Sequence, residues 1–88
     1  MVINMKKIFL KDYKPSMGIL IDVRHPDDYI TNPTPYSINI YIDKLLINHK
    51  TLLNSKDSYF IICNKGNLSK KAVATLEYFG YNVTQVVN

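Results

Sequence analysis

Short apolar runs alternate along this chain with stretches that carry helical periodicity. Gly18-Ile19-Leu20-Ile21-Asp22-Val23 and Tyr59-Phe60-Ile61-Ile62 are apolar at nearly every position rather than at every second one. Such runs read as short strands buried on both faces of a parallel sheet. Residues 38–40 and 82–87 add two more strands. Between them the punctuation is helical. Pro26 suits a first helical turn, which predicts a short helix over residues 27–30, and Pro33 and Pro35 end it. Residues 43–53 open on Asp43, an N-cap candidate, and their apolar positions fit a helix of two or three turns. Residues 54–58 turn the chain into the strand at 59–62. In the stretch from Ser69 to Gly80, Ala72, Val73, Leu76 and Phe79 share one face, Ser69 suits the N-cap, and Gly80 stands where a glycine ends a helix. Strands alternating with helices of these lengths predict an α/β fold, a small parallel sheet with helices on both faces. No repeat, low-complexity segment or linker interrupts residues 1–88, which read as one domain.

Composition narrows the class. The 88 residues are 47% hydrophobic and 20% charged, a globular mixture at a size where the margin of stability is thin. One cysteine excludes an internal disulfide framework, and no CxxC or Cys/His cluster suggests zinc, so no metal is expected. The opening Met1-Val2-Ile3-Asn4-Met5-Lys6-Lys7-Ile8-Phe9-Leu10 has charges inside a short apolar stretch, without the long apolar region or cleavage site of a secretory leader. No run approaches the length of a membrane span. A cytoplasmic protein without a membrane partner is the expectation.

The net charge of +4 raises the question of nucleic acid. Its distribution argues against it. Ten lysines and one arginine are scattered, adjacent only at Lys6-Lys7 and Lys70-Lys71, and form no basic stripe interleaved with aromatics. The seven tyrosines could stack on bases, but Tyr59, Tyr78 and Tyr81 fall in or beside elements whose apolar faces need filling.

Cys63 ends the apolar run at 59–62 and begins the polar stretch Asn64-Lys65-Gly66-Asn67-Leu68-Ser69. A lone cysteine after an apolar strand is by itself at home as a small buried hydrophobe. Here it also opens a strand-loop-helix turn, where backbone N–H groups and the helix dipole converge and favour a negative charge. Both effects favour thiolate over thiol.

The segment from Cys63 to Ser69, with Gly66, Asn67 and Ser69 in place, resembles the active loop of the rhodanese-like family. Ile21-Asp22-Val23-Arg24 followed by Asp28-Tyr29 is similar to the end of that family's first core strand and the start of its next helix. Ser37-Ile38-Asn39-Ile40 resembles the Ala-Ile-Asn-Ile segment expected between them. The likeness runs from about Gly18 to Val87, in the right order and with plausible gaps. It implies the rhodanese-like fold and sulfurtransferase chemistry. Cys63 would be the nucleophile, accept sulfane sulfur from a small anion such as thiosulfate or from a persulfide donor, and pass it to a thiol acceptor or a sulfur-relay protein. The N–H groups of Asn64, Lys65, Gly66, Asn67, Leu68 and Ser69 would hold the anionic sulfur, with no cofactor required. Lys65, Lys70 and Lys71 around the loop would attract small anions, or else be ordinary solvated lysines.

Three departures bear on activity more than on fold. Leu68 stands where strong loops of the family often carry arginine. Asn32-Pro33-Thr34-Pro35-Tyr36 replaces the usual Gly-His-Ile-Pro-Gly. The sequence closes at Val86-Val87-Asn88, where the family usually continues into a Gly-Gly turn and a last helix, which marks a minimal or a shortened version. Two alternatives follow: a rhodanese-like module that binds partners or accepts sulfur without catalysis, and phosphatase or arsenate-reductase chemistry. The second is disfavoured by a short loop that lacks the arginine a phosphoryl transition state needs.

Asp22 and Arg24 end a strand at the edge where open α/β sheets place their sites. Either could touch a substrate. Alternatively, Arg24 anchors its loop by a forked ion pair to Asp27 or Asp28. His25 reads as a base, an anion holder or a solvated loop histidine, and His49 as a helix residue with no acidic or cysteine neighbour. No Cys-His pair is legible, which excludes the familiar cysteine-protease arrangement.

Overall fold

The structure is a computed structural model and describes residues 6–88. The reading of residues 1–5 as the start of a leaderless N-terminus lies outside them. Among the described residues the strands are β1 (Lys6–Phe9), β2 (Ile19–Asp22), β3 (Ser37–Asn39), β4 (Ser58–Ile62) and β5 (Asn82–Val87), and the α-helices are α1 (Pro26–Thr31), α2 (Ile42–Ile47), α3 (His49–Leu52) and α4 (Asn67–Tyr78). The strands form one sheet in the order β1-β5-β4-β2-β3, and every pairing is parallel.

Alternation along the central strands divides the core in two. Ile21 and Val23 from the β2 end, Tyr59, Ile61 and Cys63 from the β4 end, and Val83 from β5 face Ile42 and Leu45 of α2 and Ala72, Val73 and Leu76 of α4. The other face carries Leu20, Phe60, Ile62 and Val86, covered by Ile8, Leu10 and Tyr13. Helical elements therefore cover both faces unequally, α-helices on one and a segment with two 3-10 turns on the other. Ile21, Ile61 and Leu76 have no exposed surface. Each such side chain contributes about 1.5–3 kcal/mol on burial, so the helix-covered face holds the sheet together. On the second face Tyr13 packs at 5.3 Å from Phe60, and its hydroxyl donates to the Gly18 carbonyl at 2.7 Å; burial raises its pKa above the ordinary phenol value. Gly18 is required by contact: a Cβ there would lie 2.5 Å from the Ser58 carbonyl oxygen.

Four local features differ from expectation. β1 is a strand with mostly exposed positions. It reads poorly in sequence because two of its four residues are lysines, the residues that keep an edge strand from pairing with other chains. The helix expected over residues 43–53 is broken at Asn48 (φ −110°, ψ 21°) into α2 and α3, and the Asn48 side chain donates to the Lys44 carbonyl at 3.0 Å, drawing that helix end closed. Its N-cap is Tyr41, while Asp43 lies in the first turn. α4 starts at Asn67, two residues before the expected N-cap Ser69, because Gly66 takes the cap position in the left-handed region (φ 85°). Its far end follows expectation: Gly80 (φ 94°) lets its own N–H reach the Glu77 carbonyl and the Tyr81 N–H reach Leu76, a Schellman closure.

Candidate active site

Cys63 follows the last residue of β4 at the carboxyl edge of the sheet, where open parallel sheets place their sites. It keeps the strand's alternation, so its side chain turns toward α4 with Tyr59 and Ile61. Only 6% of it is exposed, but it borders a cleft of about 420 Å³ whose walls include Arg24, His25, Tyr41, Lys65 and Leu68. Cys63 is thus nearly buried, with the cleft against it.

The loop after Cys63 aims backbone donors inward. With Gly66 in the left-handed region, the chain enters α4 so that the Ser69 N–H points at Cys63 Sγ, 3.2 Å away. The Lys70 N–H is the first to turn back along the helix, to the Gly66 carbonyl at 3.0 Å. Ser69 thus gives the sulfur one of the donors that a helix start leaves unpaired. Among the described residues, the N–H groups of residues 64–68 find no protein acceptor. The α4 dipole adds partial positive charge at the same end.

Ser69 is the third residue of α4 rather than its cap, and its hydroxyl lies 3.3 Å from Sγ. Behind it stands Gln85 of β5, 3% exposed, whose Nε2 donates to Ser69 Oγ and to the Gly66 carbonyl, both at 3.0 Å. Among the described residues its Oε1 is buried without a partner, which typically costs about 1–3 kcal/mol. The sequence reading missed Gln85. The available signal was an amide in the middle of the apolar strand Val83-Thr84-Gln85-Val86-Val87.

Arg24 is an anchor, but not to the residues expected. Its guanidinium grips Asp22 in a fork, with Nε at 3.0 and 3.1 Å from the two carboxylate oxygens and Nη2 at 2.9 Å. Asp27 and Asp28 do not pair with it: the Asp27 side chain is 89% exposed and lies 3.6 Å from His25, whereas Asp22 is fully buried at the strand end. The carboxylate holds Arg24 above its ordinary pKa, through the hydrogen bonds first. The remaining donors reach the Asn32 carbonyl at 2.7 Å and Asn64 Oδ1 at 3.2 Å, and Thr34 donates to Asp22 at 2.6 Å. The pair therefore ties the β2 end, the residue 32–34 segment and the cysteine loop into one knot, and most of its charge is spent inside the protein.

The remaining candidates separate. Asn64, Lys65, Asn67 and Leu68 line the cleft with Cys63, and Asp28 enters its wall opposite Lys65 in sign. Lys70 and Lys71 are exposed beyond it. His25 caps α1 by accepting from the Asp27 N–H and borders the cleft, without a hydrogen bond to Cys63. His49 is remote, stacked on Phe79 at 4.6 Å and bonded to the Tyr81 hydroxyl at 2.8 Å. No group of three or more potential metal ligands occurs among the described residues, and none of their helices is long and apolar enough to cross a membrane. A larger hollow of about 700 Å³, between Lys50 and Tyr59 and against Phe79 and Tyr81, lies at the amino ends of β2 and β4. It lacks Cys63 and sits at the opposite sheet edge from the cysteine loop, so the smaller cleft is the candidate site.

The model of the rhodanese-like domain family matches residues 6–88. The chain belongs to that family. No curated protein sequence matches it. Among solved structures, the rhodanese-like chain is similar to a rhodanese-related protein from Thermoplasma volcanium, with 32% identity, 92% of this chain and 82% of that one covered, and a TM-score of 0.82. It is similar to a rhodanese-like domain protein from Staphylococcus aureus at 27% identity, with 93% and 84% covered and a TM-score of 0.76. It shares its fold with the human single-domain sulfurtransferase TSTD1 at 15% identity, with 94% and 89% covered and a TM-score of 0.77. The five-stranded parallel sheet agrees with this rhodanese-like fold.

Proposed function

We propose that the protein is a sulfurtransferase that carries sulfane sulfur as a persulfide of Cys63. The observation that supports this best is the placement of Sγ beneath the Ser69 N–H, inside a loop whose other N–H groups are free to receive an anion. With thiosulfate as donor, the Cys63 thiolate attacks the outer sulfur, the sulfur–sulfur bond of the donor breaks with its electron pair, and sulfite leaves. The product is Cys63–S–S⁻. The loop N–H groups hold that terminal charge without reorganising. A thiophilic acceptor, cyanide or a thiolate, then attacks the terminal sulfur and returns Cys63 as thiolate, which gives ping-pong kinetics. A sulfurtransferase among the proteins of this fold supports the same reading.

The cleft favours a persulfide over a small dianion as the donor. Arg24 is committed to Asp22, the acidic Asp28 shares the cleft wall with Lys65, and Leu68 presents an apolar side chain that is 36% exposed. Little net positive charge is left for thiosulfate. A persulfide on a thiol compound or on a partner protein needs only the sulfur seat and finds apolar wall at Leu68 and Tyr41.

The test is intact mass after incubation with thiosulfate and, separately, with a low-molecular-weight organic persulfide. One added sulfur atom, removed by cyanide with release of thiocyanate, is expected, and the organic persulfide should load the protein at the lower concentration. A folded protein with a free thiol and unchanged mass under both donors would overturn the proposal in favour of a non-catalytic binding module. Leu68→Arg should raise apparent thiosulfate affinity. A guanidinium presents forked donors to an oxyanion, and a hydrogen bond to a charged group is worth about 1.5–3 kcal/mol, so the Michaelis constant should fall about tenfold or more. An unchanged constant in steady-state thiocyanate production would show that position 68 does not meet the donor.

A further inference from the structure

We propose that Gln85 is a positioning residue that commits the Ser69 hydroxyl proton to the sulfur of Cys63. The argument is a count of protons and lone pairs. Ser69 Oγ has one proton to give and can accept from others, whereas the Gly66 carbonyl can only accept, at two lone pairs. Gly66 O already receives the Lys70 N–H and Gln85 Nε2, each at 3.0 Å. The Ser69 hydroxyl, at 3.2 Å from the same oxygen, is a third claimant on a filled acceptor. Its other neighbour is Cys63 Sγ at 3.3 Å.

The second N–H of Gln85 enters Ser69 Oγ at 3.0 Å. It occupies one of the two lone pairs there, so that Ser69 has one lone pair and its hydroxyl proton left to offer, both within reach of the sulfur. When Cys63 is a thiol, its S–H can donate to Ser69 Oγ. Once the sulfur is anionic, the hydroxyl rotates to it and makes a charge-assisted bond, stronger than any it could make to the crowded carbonyl. Gln85 therefore acts twice, by filling Gly66 O and by orienting Ser69. The amide cannot be reversed, because its oxygen would then face the Gly66 carbonyl oxygen.

The unpartnered Oε1 agrees with this reading. A residue kept only for packing would lose nothing by becoming apolar at a site 3% exposed. Here the amide nitrogen is fully used while the oxygen is sacrificed.

The experiment reads Cys63 itself and needs no sulfur-transfer activity: the second-order rate of alkylation by iodoacetamide at neutral pH, in the full chain, together with the thermal unfolding midpoint. Gln85→Met keeps length and volume and removes both donors. It should leave the midpoint unchanged or raised and slow alkylation about three- to tenfold, the range of one ordinary hydrogen bond. Ser69→Ala should slow alkylation at least as much. Adding Gln85→Met to Ser69→Ala should then change nothing further, because residues acting through one contact are not additive. An unchanged rate in Gln85→Met overturns the proposal, as does an additive loss in the double variant. A Gln85→Met chain that does not fold overturns it too, since the amide would then be a member of the fold.

Discussion

Cys63→Ser is expected to end persulfide formation and thiocyanate production while leaving the fold in place. Serine is close to cysteine in size, and the Ser69 N–H that serves the sulfur finds an oxygen acceptor instead. Its hydroxyl, however, stays protonated at neutral pH and cannot displace sulfite or carry a sulfane sulfur. Removing the group proposed to form the covalent intermediate should lower turnover at least about a thousandfold, to the rate of the reagents alone. The comparison is thiocyanate production by the two proteins at equal concentration, with circular dichroism to confirm folding. Turnover that survives the substitution would place the chemistry elsewhere.

The second large effect is on stability. Arg24→Met removes one member of a buried ion pair and leaves the Asp22 carboxylate, fully buried, with only the Thr34 hydroxyl and the residue 24 N–H as partners. Breaking such a pair from one side costs about 3–5 kcal/mol. A domain of this size is held by about 0.05–0.15 kcal/mol per residue, so the loss is a large share of the total. Urea unfolding should show a much lower midpoint with an unchanged slope. Arg24→Lys should fall between, since an ammonium keeps the charge but not the fork that also reaches Asn32 and Asn64. Adding Asp22→Asn to Arg24→Met should recover part of the loss by removing the stranded charge. A midpoint within error of wild type would show that the knot of hydrogen bonds carries little weight.

Legibility in the sequence followed the physics of each feature. The buried strands at residues 59–62 and 82–87 and the helix leading to Gly80 were readable because apolar runs, helical spacing and a C-terminal glycine are local signals. β1 was not, since pairing with β5 at its side of the sheet is a contact across the whole chain. The break at Asn48 was hidden because its apolar neighbours keep helical spacing on both sides. At the site, Cys63 and the loop to Ser69 were visible as a strand-loop-helix turn. The true partner of Arg24 was not: an i,i+2 fork depends on the side chain folding back over the strand end, which spacing does not reveal. Gln85 was missed for a related reason. It lies far along the chain and reaches the loop only because β5 lies beside β4, with Ile61 opposite Gln85.

That strand order has a consequence for how the chain is made. β5 lies between β1 and β4, so while the polypeptide is still emerging from the ribosome β4 has a partner on the β2 side only. Its Tyr59-Phe60-Ile61-Ile62 edge stays open until residues 82–87 arrive, a sticky species at the stage when new chains meet one another. β1, although it comes earlier in the chain, must wait for the same segment before it can pair. Gln85 arrives with it. The polar backing of the cysteine is therefore completed only when β5 joins the sheet, and a chain cut before residue 82 would carry Cys63 without it.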